Sequence, residues 1–264
     1  MNEVVKRTLS GIIYIALLVG AILFSKNTFL ALFAFFLIVA VYEFCQLYKI
    51  NKINGYIISV LLSSTFIFLD NTNYNTLYLF VLPFSIFLIV DLFKNKPIEN
   101  HSNFNKYVHL VGYIVLPFLI ISQLPYSNEV YTPLLLLSIF IMIWCNDTFA
   151  YICGKLLGKH KLYEKISPKK TIEGFIGGLI FTQIASLILF KYTEIQASLT
   201  FWLVMGLSIS IIGTIGDLVE SKYKRQAGIK DSGSIMPGHG GVLDRLDSIL
   251  FAAPFLFLIY KIII

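Results

Sequence analysis

A chain of 264 residues that is 57% hydrophobic and only 14% charged, where an ordinary soluble domain carries about 25% charge, is not a water-soluble globule. Its mean hydropathy of +0.78, with no low-complexity tract and no fixed-period repeat, excludes a disordered linker and a solenoid and leaves an integral membrane protein built as one domain. The net charge of +6 is confined to short loops, and no nucleic-acid partner is expected.

In chain order, Lys6 and Arg7 precede an apolar run from Leu9 to Phe24. No A-x-A-like cleavage site follows it, so it reads as a first spanning helix that is retained rather than a signal peptide. Spanning helices need about 20 mainly apolar residues. By that rule an all-α polytopic fold with about nine candidates follows: 8–24, 28–47, 56–70, 76–93, 107–124, 132–153, 172–190, 199–220 and 242–261. The third is short enough to be re-entrant. Pro83, Pro117 and Pro254 fall inside apolar runs, which a membrane bundle tolerates because neighbouring groups satisfy the freed carbonyls. Of the 21 lysines and arginines, all but Lys26, Lys191 and Lys261 fall on alternate sides of these helices. The positive-inside rule makes that side cytoplasmic, N-terminus included. Cys45, Cys145 and Cys153 lack metal-ligand spacing and read as small buried hydrophobes.

Residues 1–125 are chemically quiet and read as scaffold helices, offering a lipid groove or a subunit contact. Glu43 stands in an apolar run near the inner end of its helix; it reads as an interfacial acid at least as well as a functional one. His101 and His109 are lone histidines in or beside a loop. Residues 126–264 form the catalytic region, with cytoplasmic loops at 154–172 and 221–241. Asn146-Asp147 lies about two turns before a cytoplasmic helix end and reads either as interhelical glue or, preferred, as an acid that needs a cation or partner. In the loop after it, Ser167-Pro168-Lys169-Lys170-Thr171 brings hydroxyls and ammoniums to a helix start, where unpaired N–H groups favour phosphate. Glu173 complements the helix dipole, and Gly174 with Gly178 reads as a close-packing pair.

The densest chemistry runs from Gly216 to Ser248. Asp217, Ser221, Lys224, Arg225, Lys230, Asp231, His239, Gly240, Gly241, Asp244, Arg245 and Asp247 stand there between two apolar runs. Carboxylates suit a hard cation, lysine and arginine suit phosphoryl oxygens, and glycine lets the backbone approach. The topology sends Asp147, Asp217, Asp244 and Asp247 to cytoplasmic helix ends, and a Mg²⁺ site around Asp217, Asp244 and Asp247 is expected. Two of these acids are alternatively read as orienting lysines. His239 has no second histidine or cysteine near it, so zinc is not expected.

The segments Ser221-Lys222-Tyr223-Lys224-Arg225, Lys230-Asp231, Pro237-Gly238-His239-Gly240-Gly241 and Leu243-Asp244-Arg245-Leu246-Asp247-Ser248 closely resemble the phosphatidate cytidylyltransferase (CDP-diacylglycerol synthase) signature. Asp147 with Ala150-Tyr151, and Ser167-Pro168-Lys169-Lys170-Thr171 with Glu173-Gly174, are similar to further segments of that family. The resemblance is dense over residues 144–248 and only hydropathic before them. It implies an enzyme of the inner (cytoplasmic) membrane, acting at the cytoplasmic face, that joins CTP and phosphatidate into CDP-diacylglycerol and pyrophosphate with Mg²⁺, K⁺ sharing the metal site, as a homodimer. In that setting Asp217, Asp244 and Asp247 surround metal, and Lys169, Lys170, Lys224, Arg225, Lys230 and Arg245 serve the phosphates. Ser167, Ser221 and His239 are hydrogen-bond donors, and Asp147 and Asp231 bind metal or orient lysines. The rival enzyme is a CTP-dependent polyprenol or phytol kinase, which needs a base for its alcohol. A CDP-alcohol phosphotransferase lacks support because its D-G-x-x-A-R motif is missing. An ion or lipid transporter is disfavoured because the charges gather at one surface.

Overall fold

The computed structural model describes residues 3–68, 74–94, 102–127, 130–236, 238 and 240–263. Apolar runs fold into α1 (Glu3–Phe24), α2 (Lys26–Tyr48), α3 (Lys52–Phe68), α4 (Tyr74–Leu92), α5 (Asn103–Leu110), α6 (Leu116–Ile121), α7 (Pro133–Leu157), α8 (Ile172–Tyr192), α9 (Leu199–Ser208), α10 (Thr214–Gln226) and α11 (Leu243–Ile263). Single π-helical turns, Val111–Val115 and Ile209–Gly213, join α5 to α6 and α9 to α10 into continuous rods. The first of these turns stands just before Pro117, whose missing N–H interrupts regular α bonding. Six helices among the described residues are long and apolar enough to cross a membrane: Lys26–Tyr48, Asn103–Ile121, Pro133–Leu157, Ile172–Tyr192, Leu199–Gln226 and Leu243–Ile263. Thr8–Phe24 and Phe80–Leu92 are shorter apolar stretches. The protein is a helical membrane protein.

Helix starts follow local chemistry. Ser25 and Thr28 form a reciprocal capping box on α2, while Ser102, Thr171 and Ser198 accept the N–H of Asn105, Gly174 and Phe201 to cap α5, α8 and α9. Each such cap satisfies a donor that the helix itself leaves unpaired. Two features depart from the sequence reading. First, α7 runs on to Leu157 and α10 to Gln226, because a helix does not stop where its apolar run stops. The second expected loop therefore begins only after Gln226. Second, the all-α expectation missed two short antiparallel hairpins, β1 (Tyr126–Ser127) with β2 (Val130–Tyr131) and β3 (Lys161–Tyr163) with β4 (Ser167–Thr171). The lysine-rich β3–β4 segment shows no apolar alternation, so periodicity could not reveal it.

Small residues decide the packing, as they do wherever helices approach closely in a membrane. A Cβ on Gly174, Gly177 or Gly178 of α8 would run into Ala150, Cys153 or Asn146 of α7. The close-packing reading of Gly174 and Gly178 is thus what the structure shows. Phe149 and Phe181 stack across the same seam with centroids 3.6 Å apart. Helix α11 is central and touches α2, α4, α6, α7, α9 and α10. Gly216 of α10 lies against Phe251 and the Asp247 carbonyl of α11, where no side chain would fit. An apolar cavity of about 570 Å³ opens between α3, α4, α5 and α6, lined by Leu62, Phe66, Phe84 and Val108 among others.

Polar groups also lock the bundle. Lys222 of α10 reaches across to α4, where it pairs with the Asp91 carboxylate at 2.7 Å and donates to the Asp91 carbonyl; both residues are buried. His109 is neither solvated nor in a loop. It lies buried on α5, with Nδ1 3.0 Å from the Tyr223 hydroxyl and 3.4 Å from that of Tyr48. His101 lies outside the described residues. The cysteines are free, with Cys45 buried and the others half-buried.

Removing one partner of a buried ion pair strands the other charge, at a cost of about 3–5 kcal/mol. Asp91→Ala is accordingly expected to lower the Tm of the detergent-purified protein by several degrees, and Lys222→Met placed on top of it should recover much of the loss. A single Asp91→Ala variant that melts like wild type would show the pair to be dispensable.

Candidate active site

Helix α10 ends in a run of polar residues, and its last two turns face the first turn of α11. Lys224 bridges them: its ammonium lies 2.5 Å from Glu220 one turn back on α10 and 2.6 Å from Asp244 Oδ1 on α11. The other Asp244 oxygen accepts from the Ser232 N–H at 2.8 Å, the Ser232 hydroxyl at 2.8 Å and the Gly241 N–H at 2.7 Å. Asp244 therefore has both oxygens filled and ties the loop between α10 and α11 to the start of α11. Gly240 sits at φ +84 with its Cβ position occupied by that carboxylate, so only glycine fits on both grounds.

Sequence reasoning missed the second clamp on this loop. Glu43 of α2, 2% exposed, accepts from the N–H groups of Val242 at 3.0 Å and Leu243 at 2.9 Å, and more weakly from the Ser232 hydroxyl. These are the otherwise unpaired donors at the N-terminus of α11, where a carboxylate also meets the positive end of the helix dipole. A Cβ at Gly233 or Gly241 would run into the Glu43 carboxylate. An acid inside an apolar run was the available signal. The interfacial reading of Glu43 is corrected: it is buried beneath the loop.

Three other carboxylates, Asp147 of α7, Asp217 of α10 and Asp247 of α11, lie within electrostatic reach of one another. Asp147 and Asp247 line a cavity of about 170 Å³ together with Asp244, Arg245, Tyr14 of α1 and Trp144. Asp147 is exposed where it lines this cavity. Asn146 donates to it at 3.4 Å. Asp217 pairs with Lys170 at 2.6 Å and accepts from the Ser221 hydroxyl at 3.2 Å. Among the described residues no three acidic, histidine or cysteine side chains close into a group that could hold a metal ion by themselves. Of the expected set, Asp244 has both oxygens engaged by Lys224 and the loop, while Asp217 and Asp247 lie within electrostatic reach of each other. The oxygen-only donors Asp147, Asp217 and Asp247 still suit Mg²⁺, which commonly takes one or two carboxylates and completes its shell with water and substrate phosphate.

The β3–β4 hairpin brings the basic segment to the same end of the bundle. Lys170 reaches Asp217, Lys169 is exposed, and Ser167 pairs in register with Tyr163. Arg225 donates to the carbonyls of Ile166 at 3.3 Å and Ile229 at 3.1 Å, tying the end of α10 to the hairpin and its own loop. Glu173 does more than complement a dipole. It accepts from the N–H groups of Lys159 and His160 and meets His160 Nδ1 at 2.6 Å. Lys230 and Asp231 are exposed on the loop after α10. His239 lies outside the described residues.

Over residues 5–263 the chain matches the Cytidylyltransferase family. It belongs to that family. Among its relatives is a protein of Staphylococcus saprophyticus subsp. saprophyticus named phosphatidate cytidylyltransferase, 50% identical over 117 residues. Proteins of the same name from Staphylococcus haemolyticus and Staphylococcus aureus are 51% identical over 117 residues and 50% over 119. Each of these matches covers 44% of this chain and 45% of the relative, less than half the length of either.

Unpairing the α11 amides from their buried acceptor costs about 1–3 kcal/mol. Glu43→Ala is expected to lower stability by that amount and to speed hydrogen exchange at Val242 and Leu243. Glu43→Gln, which keeps one acceptor oxygen, should fall between. Unchanged exchange in Glu43→Ala would remove Glu43 from this role.

Proposed function

We propose that this member of the family is a phosphatidate cytidylyltransferase, which joins CTP and phosphatidate into CDP-diacylglycerol and pyrophosphate. The carrying observation is the convergence of Asp147, Asp217 and Asp247 with Lys170 and Arg245 where α7, α10, α11 and the basic hairpin meet. The names of its relatives point the same way.

In this reaction a phosphate oxygen of phosphatidate bonds to the α-phosphorus of CTP as the bond from that phosphorus to the bridging oxygen breaks. Pyrophosphate leaves with that electron pair. The attacking oxygen is already ionised near neutral pH, since the second ionisation of a phosphate monoester lies near about 6, so no strong base is needed. The difficulty is bringing two anions together, which makes catalysis a matter of positioning and charge stabilisation. Lys169, Lys170, Lys230 and Arg245 are assigned to phosphate oxygens, with Lys170 exchanging its contact with Asp217 for substrate. Asp217 and Asp247, with Asp147 beside them, are the residues that would hold Mg²⁺; when bound, the ion neutralises phosphoryl oxygens and holds them in line. K⁺ at that site rests on the family resemblance alone, as does assembly into a homodimer. Asp244, Lys224 and Arg225 position the loop, the helix ends and the hairpin.

The reading includes about nine crossings, an N-terminus in the cytoplasm and the site on the cytoplasmic face of the inner membrane. Its support is the lysine and arginine bias and the gathering of Lys169, Lys170, Lys224 and Arg225 with the acids at one end of the bundle. A polyprenol kinase is not favoured, because the family match and the relatives' names supply no alcohol acceptor. A transporter is not favoured either.

Purified protein in detergent with lipid is expected to convert labelled CTP and phosphatidate into a lipid-soluble CDP product only when Mg²⁺ is present. Asp217→Asn should reduce turnover on the order of a hundredfold or more, as expected for loss of charge stabilisation at the reacting centre, while remaining folded. Wild type that ignores phosphatidate but phosphorylates a prenol from CTP would replace this reading with the kinase. Orientation has its own test. A cysteine in place of Lys161, on a background lacking Cys45, Cys145 and Cys153, should react with an impermeant maleimide in inside-out vesicles and not in intact cells; the opposite pattern would invert the topology.

A further inference from the structure

Helix α1 carries lipid-compatible residues on its outer side, where Leu9, Ile12, Ile13 and Leu17 are exposed. Its inner side packs through Leu18 and Ile22, which are fully buried. Tyr14 belongs to that inner side, 8% exposed, with its ring 6.3 Å from Phe36. A phenylalanine would provide the same packing. The Tyr14 hydroxyl is itself buried and has no hydrogen-bond partner among the described residues. Buried polar groups are bonded in the great majority of cases, and an exception calls for a ligand or another role.

Tyr14 lines the cavity together with Asp147, Arg245 and Asp247, and its side chain lies within electrostatic reach of Arg245 and Asp247. The cavity has two characters. Ile15, Phe140, Ile143 and Trp144 wall it with apolar surface, while the acids and Arg245 line the remainder. A ligand that fits both is an amphiphile with an apolar body and a phosphate head. A nucleotide triphosphate has no apolar body of that kind. The position of α1, lipid-compatible outside and lining the cavity inside, places this chamber next to the bilayer from which such an amphiphile comes.

Resting on the cytidylyltransferase reading above, we propose that Tyr14 is a binding residue for the lipid substrate, its hydroxyl donating a hydrogen bond to an oxygen of the phosphatidate phosphate on the side of the cavity facing α1. The phenol is a neutral donor. It orients the lipid phosphate without adding charge beside Asp147 and Asp247, and Arg245 supplies the cation.

The test separates this role from packing, because removing a buried hydroxyl with no hydrogen-bond partner among the described residues leaves stability unchanged or raised. Tyr14→Phe is purified beside wild type, the two are melted without substrate, and steady-state rates are measured with phosphatidate and CTP varied in turn. Expected are a Tm equal to or above wild type, kcat/KM for phosphatidate lower by about tenfold, as for one lost hydrogen bond to a charged group, and an unchanged KM for CTP. Unchanged phosphatidate kinetics would overturn the proposal, and so would a defect confined to CTP. Wild type with no turnover of this pair would overturn the enzymatic reading instead. The shift in Tm on adding phosphatidate to wild type and to Tyr14→Phe then decides the binding role, equal shifts counting against it.

Discussion

Lys224 lies between Glu220 and Asp244, and much of the site's geometry descends from that pairing. Carboxylates removed from water in a protein surrounded by lipid are costly, and removing one partner of such a pair is destabilising by about 3–5 kcal/mol. With Lys224 holding one oxygen of Asp244, the other is left to gather Ser232 and Gly241. The loop is thereby drawn over the start of α11, the helix that touches most of the bundle. Asp247 follows Asp244 by three positions and lines the same cavity, so its placement depends on the salt bridge one turn earlier. Asp217 is brought close through the tight contact at Gly216, which lies against the carbonyl of Asp247 itself.

The division of the chain into scaffold and chemistry is less clean than a hydropathy profile suggests. Four helices of the first half each send a polar group into the second. Glu43 of α2 caps α11, Asp91 of α4 holds Lys222 of α10, His109 of α5 meets Tyr223 of α10, and Tyr14 of α1 lines the cavity. Because each is buried and engaged at a distance along the chain, the two halves constrain one another. The caps made by Ser25, Ser102, Thr171 and Ser198 are local by contrast, and they set where rods begin.

What could be read from the sequence follows the range of the signal. Apolar runs are local and periodic, so helices appeared close to where they were expected, and the missed continuations of α7 and α10 lie where polar residues extend a helix beyond its apolar run. Gly174 and Gly178 carried their reading in their spacing. Asp147, Asp217 and Asp247 were identified because acids are rare in such a chain. Glu43 was noticed for the same reason, but its partners stand 189 to 200 positions away, and nothing in a linear pattern says which loop a buried acid will meet. His109, joined to Tyr48 and Tyr223, was illegible for that reason too. The contacts of Asp244 with Lys224 and three loop donors are equally unannounced by the spacing of acids on one helix face.

The proposed union of two anions asks for positive charge held in place by the fold, since reorganisation is what makes water a poor medium for such a step. A lysine-rich loop would not meet that need by composition alone. Here the basic segment is folded into a hairpin. Thr171 closes its far end by capping α8 through Gly174, Glu173 holds the backbone at Lys159 and His160, and Arg225 fixes the carbonyl of Ile166 to the end of α10. Lys170 is consequently delivered to Asp217 from a braced strand. Arg225 serves this arrangement through its rigid, forked geometry, which a lysine would not reproduce at two backbone carbonyls. The cations of the site thus differ in their surroundings: Arg225 and Lys224 are bound up in holding the frame, Lys170 pairs with Asp217, and Lys169 and Lys230 are exposed.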